Sequence, residues 1–338
     1  MGLRGYLVKR IIYTIFLVFF VLSLNFVIFE IMPHNPLELF EGKQLKPQVI
    51  ANIMKQWGLD EPWPVRYVTY IKNMLSFNFG TNNPGIVPSS VLGLIMEYLP
   101  NTLLLMGLST FFSILLGVIV GVLAAYKRGG LFDSSAVIVS LITFSLPTFW
   151  MALMGIAIFN HWLNILPSGR IMGDNLPPWS TFSVMGTQFA LPSTAEVLSR
   201  ITHLIMPVGV LTIFQYGNYV LLTRATMTEA LTEDYILTAK AKGLKERTII
   251  FKHALKNASL PIITSSALAF GFLIGGAIIT ETVFSYPGVG FLTIRSILTT
   301  LNLPVLHAIF YVTALTVIFA NFISDLLYGV IDPRIKYG

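Results

Sequence analysis

Few residues in this chain are arranged to do covalent chemistry. The five histidines, His34, His161, His203, His253 and His307, stand apart, and none has a partner at the spacing that sets two imidazoles on one helix face for a metal, as in HExxH. No glycine-rich loop ends in Lys followed by Ser or Thr, so the chain lacks a P-loop cradle for nucleotide phosphates, and the GxSxG frame of a serine nucleophile is also missing. Cysteine is absent, which excludes disulfides, thiolate catalysis and cysteine-bound metal. The histidines read as interfacial or packing residues, with no catalytic residue and no metal site among the candidates.

Two other kinds of residue carry chemistry. An ionisable group at membrane depth is costly and by default a functional candidate. Glu30, Glu281 and Asp325 lie near the ends of apolar runs. Glu30 and Glu281 fall at an outer interface, and Asp325 reads as a snorkelled or Arg-paired structural acid near the inner one. The second is the stretch Thr232 to Pro261, a long basic segment between two strongly apolar ones. Its first half has the pattern of a short helix with a defined stop: Thr232 as N-cap, Glu233 and Asp234 in the first turn, Lys240 and Lys242 in the last, then Gly243. Ile236, Leu237, Ala239 and Ala241 offer small and medium apolar groups against which another backbone can approach, while a solvated loop helix is the plainer reading.

The elements that position these residues are membrane spans. With 54% hydrophobic and 11% charged residues over 338 positions and a mean hydropathy of +0.74, the composition is that of an integral membrane protein. The net charge of +6 is scattered between apolar runs and forms no basic domain that would mark a nucleic-acid partner. Six spans are expected: about Ile11 to Met32, Asn101 to Ala125, Ser134 to Phe159 with Pro147 inside, which should kink or interrupt it, His203 to Thr223 with Pro207 inside, Pro261 to Thr280, and Val305 to Val330. The first run is too long for a signal peptide and has no small-residue cleavage site after it. Gly117 and Gly121 are spaced for close helix packing. Short helices are expected around Pro47 to Gly58 and Pro64 to Ser76.

This divides the chain into 1–32, the N-terminal tail and first helix; 33–100, an extracytoplasmic segment; and 101–338, a core of helices two to six with a cytoplasmic loop at 224–260. The arrangement places fourteen of the 22 Lys and Arg residues inside, with both termini cytoplasmic, in keeping with the positive-inside bias. A secondary carrier would hold ionisable or unwound sites near mid-membrane, often with internal repeats, and a membrane-embedded enzyme would need a catalytic pair within its spans. Neither is evident.

The order of several short segments resembles one family throughout. YLVKRI with MPHNP near the start, GLDEPWPVRY, LPNTLLL, SLPTFW, ETVFSYPGVG and the terminal DLLYGVIDPRIKYG are similar to segments of the binding-protein-dependent permease subunits of ABC importers, of the dipeptide, oligopeptide and nickel type, first-permease (B-type) subunit. The opening loop then corresponds to the family's EAA loop. Leu237, Thr238 and Ala239 stand where the general pattern has Glu-Ala-Ala, and Gly243 matches its glycine. The glutamate is absent, while TAKAKGL with ALKNASLP resembles the peptide-type form.

The resemblance implies an all-α type I importer permease of six transmembrane helices in a prokaryotic inner membrane. It implies as partners a second homologous permease subunit, two cytoplasmic ATPase subunits and an extracytoplasmic solute-binding protein. It also implies that no cofactor is bound by this chain, ATP and Mg²⁺ residing on the ATPase subunits. The solute would be a peptide, an oligosaccharide or nickel. The ATPase-coupling residues would be Thr232, Glu233, Asp234, Tyr235, Leu237, Ala239, Ala241, Gly243 and Leu244.

Overall fold

The computed structural model describes residues 3–31, 48, 54–55, 60–82, 89–173, 180–184, 187–191, 193–271, 273–300 and 302–331. Along the chain run α1 (Leu3–Phe26), α2 (Trp63–Leu75), α3 (Val91–Tyr126), α4 (Leu131–Ser145), α5 (Thr148–Gly155), β1 (Ser180–Val184), β2 (Thr187–Leu191), α6 (Thr194–Ala230), α7 (Asp234–Ala241), α8 (Leu255–Gly271), α9 (Ile278–Val283), α10 (Val289–Arg295) and α11 (Leu303–Ile331). The two strands form one antiparallel hairpin, with Phe182 opposite Phe189. Among the described residues every other regular element is helical.

The expected apolar runs are helical with different breaks. Among the described residues four continuous helices are long and apolar enough to cross a bilayer: Val8–Phe29, Val91–Tyr126, Thr194–Ala230 and Leu303–Ile323. The third expected run is a pair, α4 and α5, bent by 98°. Pro147 is the cause: it cannot donate, and it forces Leu146 before it into an extended conformation, φ −74° and ψ 134°. The fifth run is not among these crossing helices: α8 continues through Pro261 but stops at Gly271, followed by the short helix α9.

Two helices outrun the expected bounds. α3 has 36 residues with Pro100 inside, and α6 has 37 with Pro207 inside, so each is roughly 55 Å long against a hydrocarbon core of about 30 Å. α6 starts from a serine N-cap, Ser193 Oγ accepting from the Glu196 amide (3.2 Å), and Glu196 pairs with Arg200 one turn on (2.9 Å). Of the two short helices expected near the start, α2 is present with Pro64 in its first turn. The other, Pro47 to Gly58, lies outside the described residues apart from Gln48, Met54 and Lys55.

The chain forms two compact units, residues 1–103 with 270–278 and 288–338, and residues 104–269 with 279–287. The core of the first joins Leu22 and Phe26 of α1, Tyr70 and Met74 of α2, Val91 and Ile95 of α3 and Val305 and Ile309 of α11. Asn25 ties three of these helices together, its Nδ2 donating to Tyr70 Oη (3.0 Å) and to the His307 carbonyl (3.2 Å). His307 is buried against the rings of Phe29 and Tyr70, a packing histidine.

In the second unit α3 lies against α6 so closely that a Cβ on Gly117 would stand 2.3 Å from Tyr219 Cβ, and one on Gly121 2.6 Å from Thr223 Cβ. Only glycine at both positions permits that approach. Glu281, expected at an interface, is instead fully buried, because the chain folds back after α9 and the Tyr286 amide donates to the Glu281 carbonyl (2.8 Å). The side chains of Glu30 and Asp325 lie outside the described residues.

Candidate functional site: the loop between α6 and α8

Residues 224–260 form one packed body. α6 ends at Ala230, and the Leu231 and Thr232 amides donate to the carbonyls of Met227 (2.9 Å) and Glu229 (3.0 Å). Thr232 is therefore part of the turn closing α6. Its hydroxyl donates back to the Glu229 carbonyl (2.7 Å), so it does not cap the next helix as its position suggested. α7 starts one residue later, after Glu233, whose side chain makes no capping bond. Asp234 supplies the first-turn negative charge.

The far end of α7 is closed as its sequence requires. Gly243 has φ +70°, its amide donates to the Lys240 carbonyl (2.9 Å), and the Leu244 amide reaches the Ala239 carbonyl (3.3 Å). These two bonds are the Schellman pair, which needs a left-handed residue at the glycine position. Lys245 then starts a single turn, Glu246–Thr248, leading through the π-helical Ile249–Ala254 into α8. A π-helical turn adds a residue to the ring, so it shifts the face that α8 presents.

α7 has two faces. Ile236 (1% exposed) and Ala239 turn inward, into a cluster with Val122 and Ala125 of α3, Met227 and Ala230 of α6, and Ile249, Ile250 and Ala254 of the following arm. Burying an isoleucine in this way contributes roughly 1.5–3 kcal/mol. It fixes α7 to the ends of two spans and to the arm. Leu237 (69% exposed) and Leu244 point away from the chain, as do Glu233, Asp234, Ala241 and the open Cα of Gly243. Tyr235 is half-buried against the cluster.

Of the expected coupling residues, Leu237, Ala241, Gly243 and Leu244 thus share an outward surface flanked by Glu233 and Asp234, whereas Ala239 is internal. Ile236, weighed with the outward group at first, is the anchor. The arm adds one exposed apolar group, Phe251.

Two contacts brace this body, and neither shows in the local sequence pattern. Arg224, in the last two turns of α6, grips Asp133 at the start of α4: Nε bonds Oδ1, and a second guanidinium nitrogen bonds Oδ2 at 2.8 Å. Asp133 also accepts from the Gly129 amide (2.9 Å). A fork-to-fork pair of this kind sets orientation as well as distance. Tyr126, the last residue of α3, donates its hydroxyl to Glu246 Oε2 (2.6 Å). The only sequence signals were an acid just after Gly129–Gly130 and a cation near the end of a span.

A short helix with an exposed apolar stripe is packed against the ends of α3, α6 and α8.

Comparisons with known proteins show the family. Residues 117–337 match the family model described as "Binding-protein-dependent transport system inner membrane component", and residues 3–106 match that of the corresponding N-terminal region. The chain is 33% identical over 337 residues to the oligopeptide transport system permease protein AppB of Bacillus subtilis (strain 168), covering 99% of this chain and all of the relative. It is 35% identical to the dipeptide transport system permease protein DppB of Alkalihalophilus pseudofirmus, covering 98% and 99%, and 35% identical to the DppB of Escherichia coli (strain K12), covering 93% of each. Among solved structures, a chain of the inward-facing MetNI methionine ABC transporter superposes with a TM-score of 0.54 at 17% identity, covering 71% of this chain and 96% of that one. That likeness is one of fold, the type I importer permease fold. With family matches on both sides of α3 and relatives aligned from end to end, the chain belongs to the binding-protein-dependent transport system inner membrane components.

Proposed function

We propose that this chain forms half of an ATP-driven import path for di- or oligopeptides, paired with a second homologous permease subunit, two cytoplasmic ATPase subunits and an extracytoplasmic solute-binding protein. The end-to-end relatives carry oligopeptide or dipeptide transport in their names, which favours a peptide over an oligosaccharide or nickel. Its termini and the loop 224–260 lie in the cytoplasm, where the positive-inside bias puts the loop's cations.

A polar solute cannot cross hydrocarbon, so helices of two permease subunits enclose a path and expose it to each side in turn. The chain binds no nucleotide itself. ATP and Mg²⁺ sit on the ATPase subunits, whose closure moves α7. The observation that carries this reading is the division of α7 into an outward stripe, Leu237, Ala241 and Leu244, and an inward anchor, Ile236. A partner that takes hold of the stripe moves α3, α6 and α8 with it.

The experiment is purification of the tagged chain from its native membrane, followed by reconstitution with the co-purifying subunits and assay of ATP-dependent dipeptide uptake. Co-purified ATPases with uptake support the reading. Isolation without ATPases, or uptake that follows a proton or sodium gradient and ignores ATP, sinks it in favour of a secondary carrier.

A further inference from the structure

The second unit contains a recess of about 510 Å³ that the coupling role does not use. Its walls are the π-helical turn Ile156–Trp162 after α5, the loop 166–173, the first turns of α6 and the bend after α9. The polar groups lining it are Asn160, Ser168, Arg170, His203 and Ser285. No acid among the described residues lines it.

The two loops that form the rim are locked together. The Arg170 amide donates to the Phe284 carbonyl (2.8 Å), and a Cβ on Gly169 would stand 2.2 Å from that same oxygen, so only glycine allows the contact. The next residue on each side is strained: Arg170 has φ +70° and Ser285 φ +48°. Non-glycine residues rarely occupy this region, and they persist there where the surroundings over-determine them, often at binding sites. A π-helical turn in the wall points the same way.

The donors and acceptors are also preset. Asn160 Nδ2 donates to the Leu166 carbonyl (2.9 Å), which turns Oδ1 away as an acceptor. The Nδ1 edge of His203 is taken up by the Ser199 carbonyl (2.7 Å), which leaves Nε2 as the ring edge that can meet a ligand. One part of the recess thus presents a guanidinium and two hydroxyls, and the other presents the Asn160 side-chain oxygen and the second ring nitrogen of His203. A guanidinium with five donors matches a carboxylate and can hold it beside other partners. The Asn160 oxygen, an acceptor, suits amide or ammonium N–H groups.

We infer that this recess is a solute subsite that holds the free C-terminal carboxylate of a short peptide on Arg170, with the peptide's N–H groups turned toward Asn160 and His203. The inference rests on the proposed import of peptides, since both rim loops lie on the extracytoplasmic side in that topology. The volume falls within the usual range for small-ligand pockets.

The test uses the assembled importer in proteoliposomes and a photoreactive dipeptide, alanyl-p-benzoylphenylalanine, compared with its C-terminal amide. Labelled residues are mapped by mass spectrometry, and ATP-driven uptake of the free acid is measured in parallel. Labelling should fall within 156–173 or 283–287, and it should drop about tenfold or more for the amide and for Arg170→Gln, as expected for loss of a charge-assisted hydrogen bond. Arg170→Lys, which keeps the charge, should retain more labelling than Arg170→Gln. The amide comparison needs no variant and so does not depend on folding. Equal labelling by acid and amide, or labelling elsewhere while uptake proceeds, overturns the subsite and leaves the import reading intact. Carboxylate-dependent labelling of the recess without ATP-driven uptake supports the subsite and sinks peptide import.

Discussion

Gly243→Val isolates the role of the α7 stop. At φ +70° a residue with a Cβ pays about 1–2 kcal/mol relative to glycine, and a β-branched one lies at or above the upper end. Space does not contribute, because nothing lies within 4 Å of where the Cβ would stand. The cost is therefore conformational and falls on the two bonds that close the helix, Gly243 to Lys240 and Leu244 to Ala239. One to two kcal/mol is about a 5–30-fold change in the population of the closed end. It displaces Leu244, one of the three outward apolar groups, while the Ile236 anchor and its cluster stay in place. Assembly with the ATPases should survive, with peptide-stimulated ATP hydrolysis and uptake reduced several-fold. Gly243→Asn should lose least, since asparagine tolerates the left-handed region, with Gly243→Ala between the two. Stimulated hydrolysis and uptake in reconstituted membranes, with co-purification as the control for assembly, measure this. Wild-type coupling in the valine variant, or an order other than Asn, Ala, Val, refutes the reasoning.

Other substitutions separate the two faces of the site. Leu237→Asp should weaken ATPase association about tenfold or more without moving the thermal midpoint of the permease, whereas Ile236→Ala should cost about 2–5 kcal/mol locally, seen as faster amide exchange across 224–260. Arg224→Lys keeps the charge but loses the fork on Asp133, so the thermal midpoint should drop by the equivalent of about 1–3 kcal/mol; an unchanged midpoint would mean the pair braces nothing. Gly121→Leu forces a side chain into a contact only 2.6 Å from Thr223 Cβ, and the variant should lose monodispersity on size-exclusion chromatography.

The sequence pattern placed most of the spans and the break at Pro147, but it misjudged the end of the fifth run and the faces of α7. Pro147 breaks its helix pair sharply, whereas Pro100 and Pro207 sit inside continuous helices. A proline removes one donor in all three cases, and whether the helix bends depends on packing that local sequence does not encode. The α7 stop was legible because Gly243 is a local requirement of chain conformation. Its start was not, because the Thr232 hydroxyl had a competing acceptor on the preceding turn. The separation of Ile236 from Leu237 depends on residues more than a hundred positions away on α3, as does the burial of Glu281 on the fold-back at Tyr286. The Asp133–Arg224 pair spans 91 positions and had no local signature. The strained pair Arg170 and Ser285 needed three-dimensional placement to be recognised.

The most direct test of the coupling account uses the chain's lack of cysteine, which makes any introduced thiol unique in this subunit. Single variants Leu237→Cys, Ala241→Cys, Leu244→Cys and Ile236→Cys would be treated in native membranes with a short bifunctional maleimide and probed for adducts with the ATPase subunits. The account predicts adducts from positions 237, 241 and 244 and none from 236. Adducts from 236 alone, or none from the outward three in membranes that still import solute, would contradict it.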